Sequence, residues 1–296
     1  MKDKEYRKGV FLAIIAYFFY GLGGITAKYS MSGGAGSVVL ILLRNTVALP
    51  LLFAYIKIRG MSLKINSRQL LFISTAGILV SCATPVLIYS AYDYISVGLT
   101  ICIHYVYPVI IALAEFFIFG QKLSRRKILA MAFAIGGIWL IMFSASALSL
   151  KGIIYALLSS LGFAAYIIFI ARTGLKSLPG PVCAFYCTAA SSVAMLAFCL
   201  VKGEDFLHPG SETMFWSVIT ALLVVCLGNA IIPEAIKRAG SATASILGIL
   251  EPITTTAVSV LLLKEAMTAR SFLGGLLVLF SAALILTDKN PRAEED

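Results

Sequence analysis

Runs of roughly 20 apolar residues recur from one end of this chain to the other. At 1.5 Å per residue, that is the length a helix needs to cross a hydrocarbon layer about 30 Å thick. Ten such runs can be laid along the 296 residues, over 9–29, 37–58, 69–91, 96–119, 127–147, 152–171, 180–201, 213–236, 240–263 and 271–287. The connections between them are short, and the longest outer one, around Lys202 to Glu212, leaves no room for a soluble domain. Composition agrees: 60% of residues are hydrophobic, 13% are charged and the mean hydropathy is +0.95, whereas a soluble domain is about one-quarter charged. The expected fold class is an all-α integral membrane protein with ten transmembrane helices.

The run from Ile95 to Leu123 has a second copy of its pattern at Ala239 to Met267. With Pro108 set on Pro252, Tyr107 falls on Glu251, Gln121 on Glu265 and Arg126 on Arg270, without a gap, at a shift of 144 residues. A half-length repeat of apolar spans, each interrupted by proline near its middle, points to the central site of a transporter. We therefore expect two halves, 1–147 and 148–296, of five helices each. An odd number of spans per half turns the second half over in the membrane, so the repeat is expected to be inverted.

The net charge of +10 would suggest nucleic acid in a soluble protein, but here the position of the charges accounts for it. With the N-terminus in the cytoplasm, eighteen of the 24 Lys and Arg fall in inner segments and four (Lys151, Lys202, Lys264, Arg270) in outer ones; Lys28 and Arg44 lie within spans. That bias follows the positive-inside rule. Both termini are expected in the cytoplasm and the protein in the cell (inner or plasma) membrane, with the lipid bilayer and not nucleic acid as its partner. The first apolar run is a full span with no small-residue cleavage site after a short core, so no removable signal peptide is expected.

All five aspartates fall in loops or tails. The acids inside spans are Glu115, Glu234 and Glu251, and Arg44 and His104 are the clearest intramembrane bases. A charge at mid-span costs roughly 2.5 kcal/mol or more, so such residues usually face the bundle interior or a wet cavity. Arg44 is either satisfied by helix-end carbonyls or turned to an anionic group. His104 shares a helical stripe with Thr100, Pro108, Ile111 and Glu115, and Pro108 frees a carbonyl near it; it is either a hydrogen-bonded interior residue or a proton- or substrate-binding one. Glu251 joins Gly248, Thr255 and Ser259 in a polar stripe, with the same two readings open. Glu115 and Glu234 lie nearer the cytoplasmic ends, where pairing or gating is expected. Tyr17 and Tyr20 share a face of the first span with Gly21, Gly24 and Lys28. The glycines there allow close helix contact, and Lys28 is expected to snorkel to the interface. Ser159, Gly162 and Tyr166 echo that face in the sixth span. The cavity candidates are Tyr17, Tyr20, Arg44, His104, Tyr107, Tyr166, Asn229 and Glu251; His104 and Glu251 are candidates for a coupling proton. The six cysteines all lie in spans without accompanying His or acid, so no metal or cofactor is expected.

Tyr20-Gly21 with Lys28, Leu43-Arg44-Asn45, Ala91 to Gly98 leading to Tyr107-Pro108, Lys122-Leu123 with Arg125-Arg126, and Glu251-Pro252 with Lys264-Glu265 together resemble the EamA-type members of the drug/metabolite transporter superfamily. The resemblance covers nearly the whole chain. Two positions depart from the family pattern: Tyr20 stands where tryptophan is usual before Gly21, and Gln121 where an acid usually follows Gly120. The resemblance implies a bundle with a central cavity that moves small metabolites, often amino acids or related compounds, commonly outward. The alternative is a membrane-embedded enzyme acting on a lipid or prenyl group, or a lipid-moving protein. Such an enzyme needs several converging His, Asp or Cys near one membrane face, and with two histidines and no aspartate in a span the chain does not offer them.

Overall fold

The computed structural model describes residues 2–118, 120, 124–142, 149–172, 178–228, 231, 232, 235, 238, 239 and 247–286. Among these there are helices and no strands. The first half holds α1 (Lys2–Ser32), α2 (Ser37–Ile58), α3 (Ser67–Gly77), α4 (Thr84–Ala91), α5 (Val97–His104), α6 (Tyr107–Phe117) and α7 (Arg125–Met142). The second holds α8 (Leu150–Arg172), α9 (Gly180–Lys202), α10 (Ser211–Thr220), α11 (Leu250–Leu262) and α12 (Ala269–Leu286). Among the described residues, seven helical stretches are long and apolar enough to cross a membrane, and Leu250–Leu262 and Ala269–Leu284 are shorter apolar helices. Large apolar side chains such as Phe11, Leu71, Trp139 and Leu261 face outward, as expected where lipid is the solvent.

Local sequence sets the helix ends. Asn66 and Gln69 close α3 with a reciprocal capping box, at 2.8 and 2.9 Å. Ser96 caps α5 by accepting from the Leu99 amide at 3.2 Å. Gly203, at φ +67°, ends α9 in a left-handed conformation that costs glycine little.

The span expected over 69–91 contains an irregularity that the hydropathy pattern does not reveal. A π-helical segment, Ile78–Ala83, joins α3 to α4, and Thr84 donates its hydroxyl to the Leu79 carbonyl at 2.7 Å. A second π segment, Ala221–Gly228, follows α10. The 144-residue shift carries the first segment into the second. Most helix–helix contacts follow the same correspondence: α2 packs on its counterpart α9 and α7 on α12, while α1 packs on α11 as its counterpart α8 packs on α6. The third spans differ: α1 packs on α10, whereas α8 packs on α4 and barely touches α3, onto which the shift carries α10. α5 packs on both α8 and α11.

Small and hydroxylic residues line these contacts, which lets backbones approach and bond where lipid offers no hydrophobic drive. Between α1 and α10, Thr220 donates to Thr26 at 2.8 Å, and the Ser30 and Ser217 hydroxyls lie 2.9 Å apart. Between α2 and α9, Asn45 donates to Ser191 at 2.9 Å, and Ser191 donates to the Ser81 carbonyl at 2.6 Å.

Candidate functional site

Two interrupted helices bring polar groups to the middle of the bundle. Pro108 ends α5 at His104 and restarts the chain as α6 at Tyr107. Pro252 sits in the first turn of α11, where a missing N–H costs nothing. Tyr105, in the break between α5 and α6, places its hydroxyl 3.0 Å from Glu251 Oε2 and 2.6 Å from the Gly248 carbonyl. Its single proton thus has two acceptors.

α1 reaches the same place because Gly21 permits it. A Cβ there would lie 2.7 Å from Thr254 Cβ and 3.0 Å from the Glu251 carbonyl. Thr255 fixes the contact by donating to the Gly21 carbonyl at 3.1 Å. Tyr17 and Tyr20, with ring centres 5.9 Å apart, come within electrostatic reach of Glu251, as does Tyr107.

His104 is buried, at 6% exposure. Its Nδ1 lies 2.9 Å from the Ser159 hydroxyl, which itself donates to the Ala156 carbonyl at 2.7 Å. Ser159 therefore accepts from His104, and Nδ1 carries the proton. The imidazole is enclosed by Phe163, Tyr107 and Tyr105 at centroid distances of 5.4, 5.8 and 6.2 Å. The imidazole is thus buried and hydrogen-bonded in the interior. The carbonyl freed by Pro108 finds its donor in Ser160, whose hydroxyl lies 2.9 Å from the His104 oxygen and 3.1 Å from that of Ile103.

Arg44 lies apart from this centre. It is buried at 4% exposure, and no carboxylate among the described residues pairs with it. Nη1 donates to the Tyr89 hydroxyl at 2.6 Å, the guanidinium sits 5.4 Å from the Tyr89 ring centre, and Nε has no partner. The Tyr92 ring is 5.6 Å from that of Tyr89, and its hydroxyl is also buried without a partner. Tyr92 stands within electrostatic reach of both Arg44 and Glu251 and so links the two poles. The Lys28 ammonium donates to the Tyr92 carbonyl, in the turn after α4. Nearby, Glu265 Oε1 accepts from the Val97 amide at 2.9 Å and supplies the start of α5 with a charged cap.

Of the expected cavity residues, Tyr17, Tyr20, Tyr107 and Glu251 come together, with His104 behind Tyr107. Tyr166 stands at the edge, 5.9 Å from Phe163 and against the cluster of Ile73, Ala76 and Cys187. Asn229 and Glu234 lie outside the described residues. Glu115 forms the expected structural pair, with Lys127 at 2.9 Å. Sequence reasoning did not single out Ser160, Phe163, Tyr89 or Tyr92. Ser160 and Phe163 flank the Ser159–Gly162 face that it did identify.

The profile of the EamA-like transporter family matches this chain twice, over residues 7–143 and 150–287. The chain belongs to the EamA-like transporter family. The two EamA matches begin at residues 7 and 150, an offset close to the internal shift of 144. An uncharacterized transporter of Synechocystis is 24% identical over 213 residues, a match covering 69% of this chain and 63% of that relative. A solved crystal structure of a protein shares the fold at a TM-score of 0.65 and 16% identity, covering 95% of this chain and 98% of the other. EamA membership and the apolar helices make this a multi-pass membrane protein.

Proposed function

We propose that the protein is a secondary transporter that moves a small polar or amphipathic metabolite, an amino acid or related compound, out of the cell by alternating access. In this reading ten spans, five in each of the halves 1–147 and 148–296, form inverted repeats in the cell membrane, with both termini in the cytoplasm. The observation that carries it is the pairing of α5–α6 with α11. These counterpart helices are each interrupted at proline, packed on one another, and meet around the Tyr105–Glu251 contact. Interrupted helices at a repeat interface are where such transporters bind their substrate, and rocking of one repeat against the other exposes the site to each side in turn.

The two-fold correspondence of π segments and helix contacts supports the repeat, and the bias of basic residues to one side supports the orientation. Tyr17, Tyr20, Tyr107 and Glu251 are proposed to contact the substrate. Arg44, with its unpartnered Nε, is proposed to meet the substrate's anionic group. One of Glu251 and His104 is proposed to carry a coupling proton.

The test is counterflow in proteoliposomes loaded with single amino acids, amines, organic acids or sugars, with and without a pH gradient. Exchange of one class above empty-vesicle controls is expected. No exchange with any class by a folded, unidirectionally inserted protein refutes the reading. Orientation is checked by labelling cysteines placed at Ser67, Ser124 and Glu204 in a background free of native thiols; outside labelling at Ser67 refutes it.

A further inference from the structure

Glu251 is a carboxylate without a counter-ion. Among the described residues no Lys, Arg or His forms an ion pair with it. The nearest bases are engaged elsewhere: Arg44 with Tyr89, Lys28 with the Tyr92 carbonyl, and His104 with Ser159. Its one hydrogen-bond donor is the Tyr105 hydroxyl, on Oε2. Oε1 takes no bond from a described residue and is not sealed from solvent. An anion left unpaired inside a protein costs several kcal/mol, so an ionised Glu251 calls for a positive partner that no described residue supplies.

The surroundings state what kind of positive group fits. Tyr105 and Tyr107 have ring centres 5.5 Å apart, and Tyr107 meets Phe163 edge-on at 4.8 Å. Tyr17 and Tyr20 lie on α1 with ring centres 5.9 Å apart, and Tyr17 is within electrostatic reach of Tyr107. Tyr17, Tyr20, Tyr107, Phe163 and Glu251 are each only partly buried. Aromatic faces attract a cation through their quadrupole and give an apolar body flat surfaces to lie on. A carboxylate among them adds a full charge and repels an anion.

We propose that this aromatic centre binds an ammonium group carried on an apolar or aromatic body, with Glu251 as its counter-ion and the rings of Tyr17, Tyr20, Tyr107 and Phe163 around it. The inference rests on the transporter reading and names the substrate pole that this part of the site takes. Oε1 receives the ammonium, and Tyr105 holds Oε2 in place.

The experiment is calorimetric titration of the full protein in lipid nanodiscs with tyramine and with 3-(4-hydroxyphenyl)propionate. These share a ring and linker and differ in the sign of their charge. Tyramine is expected to bind and the propionate not. Glu251→Gln should weaken tyramine about tenfold or more, Glu251→Asp should retain most of the affinity, and both variants should keep the wild-type elution profile and melting temperature. Equal binding of the two probes overturns the proposal, as does wild-type tyramine affinity in folded Glu251→Gln. Counterflow of organic acids or sugars without any tyramine binding also overturns it and leaves the transporter reading intact. Charge-selective tyramine binding without counterflow of any solute supports the site and defeats the transporter reading.

Discussion

Removing the Glu265 carboxylate should loosen the end of the bundle where α1 finishes and α5 begins. Glu265 belongs to the second half and caps a helix of the first, so its bond to the Val97 amide spans the two repeats. Ser96 already serves the Leu99 amide. The start of α5 thus has two of its free donors satisfied, one from its own sequence and one across the repeat interface. A hydrogen bond to a charged group contributes roughly 1.5–3 kcal/mol, and a charge at a helix N-terminus about 0.3–1 kcal/mol more. Against this, Glu265 Oε2 is buried without a partner, which costs roughly 1–3 kcal/mol. The balance is about 1 kcal/mol, roughly a fivefold change in an equilibrium. If this contact holds the end closed, Glu265→Ala should raise the population open at that end about fivefold, and Glu265→Gln less, because an amide oxygen still accepts the bond without the charge. Spin labels on Asp93→Cys and Ala266→Cys, both exposed positions, would report the separation by pulsed electron–electron resonance in a background without native thiols. A longer-distance component that grows in the order wild type, Glu265→Gln, Glu265→Ala is expected. Superimposable distance distributions from all three folded proteins would refute the latch.

Four further outcomes are expected. Ser160→Ala leaves the His104 carbonyl without its donor and should lower stability by about 1–2 kcal/mol, measured by thermal unfolding in detergent; an unchanged melting temperature would show that another group takes the bond. Gly98→Ala places a Cβ 2.9 Å from Thr256 Cα and 3.0 Å from the Ser259 hydroxyl, so it should lose about 1–3 kcal/mol, whereas Gly136→Ala, with nothing within 4 Å of the new atom, should not. Arg44→Lys should lose most substrate affinity in counterflow, because Lys lacks the planar fork that pairs two oxygens; equal transport by a well-folded Arg44→Ala removes Arg44 from the site. Glu251→Gln or His104→Gln should abolish pH-driven accumulation while exchange at saturating substrate persists, and full pH-driven transport by both variants eliminates the coupling proton.

Hydropathy made the helical class and most helix positions legible, because a bilayer demands the same length of apolar run every time. The break beside Pro108 was legible for a similar reason: a missing N–H acts locally, wherever the chain goes. The π segments were not, since Ile78–Ala83 and Ala221–Gly228 read as ordinary apolar helix; the register shift depends on what packs against them. Glu251 stood out as a rare acid in a span, but its partner Tyr105 could be found only by folding, since 146 residues separate them. The partner of Lys28 was not legible either, since the Tyr92 carbonyl that receives its ammonium lies 64 residues away.

The backbone and the side chains follow different symmetries. Under the 144-residue shift, the π segments, the proline breaks and the α2–α9 and α7–α12 pairings map onto one another. The polar centre does not: the shift carries His104 to Gly248, Tyr107 to Glu251, Arg44 to Thr188 and Tyr17 to Leu161. The first half supplies Tyr17, Tyr20, Tyr107 and both bases, and the second supplies Phe163 and the lone carboxylate. A symmetric scaffold gives two conformations of comparable energy, one open to each side, because exchanging the roles of the repeats exchanges the states. An asymmetric lining gives one composite site and one preferred substrate orientation, because no second copy of Glu251 or Arg44 competes for the same group. Motion is thus encoded in what the halves share, and recognition in what they do not.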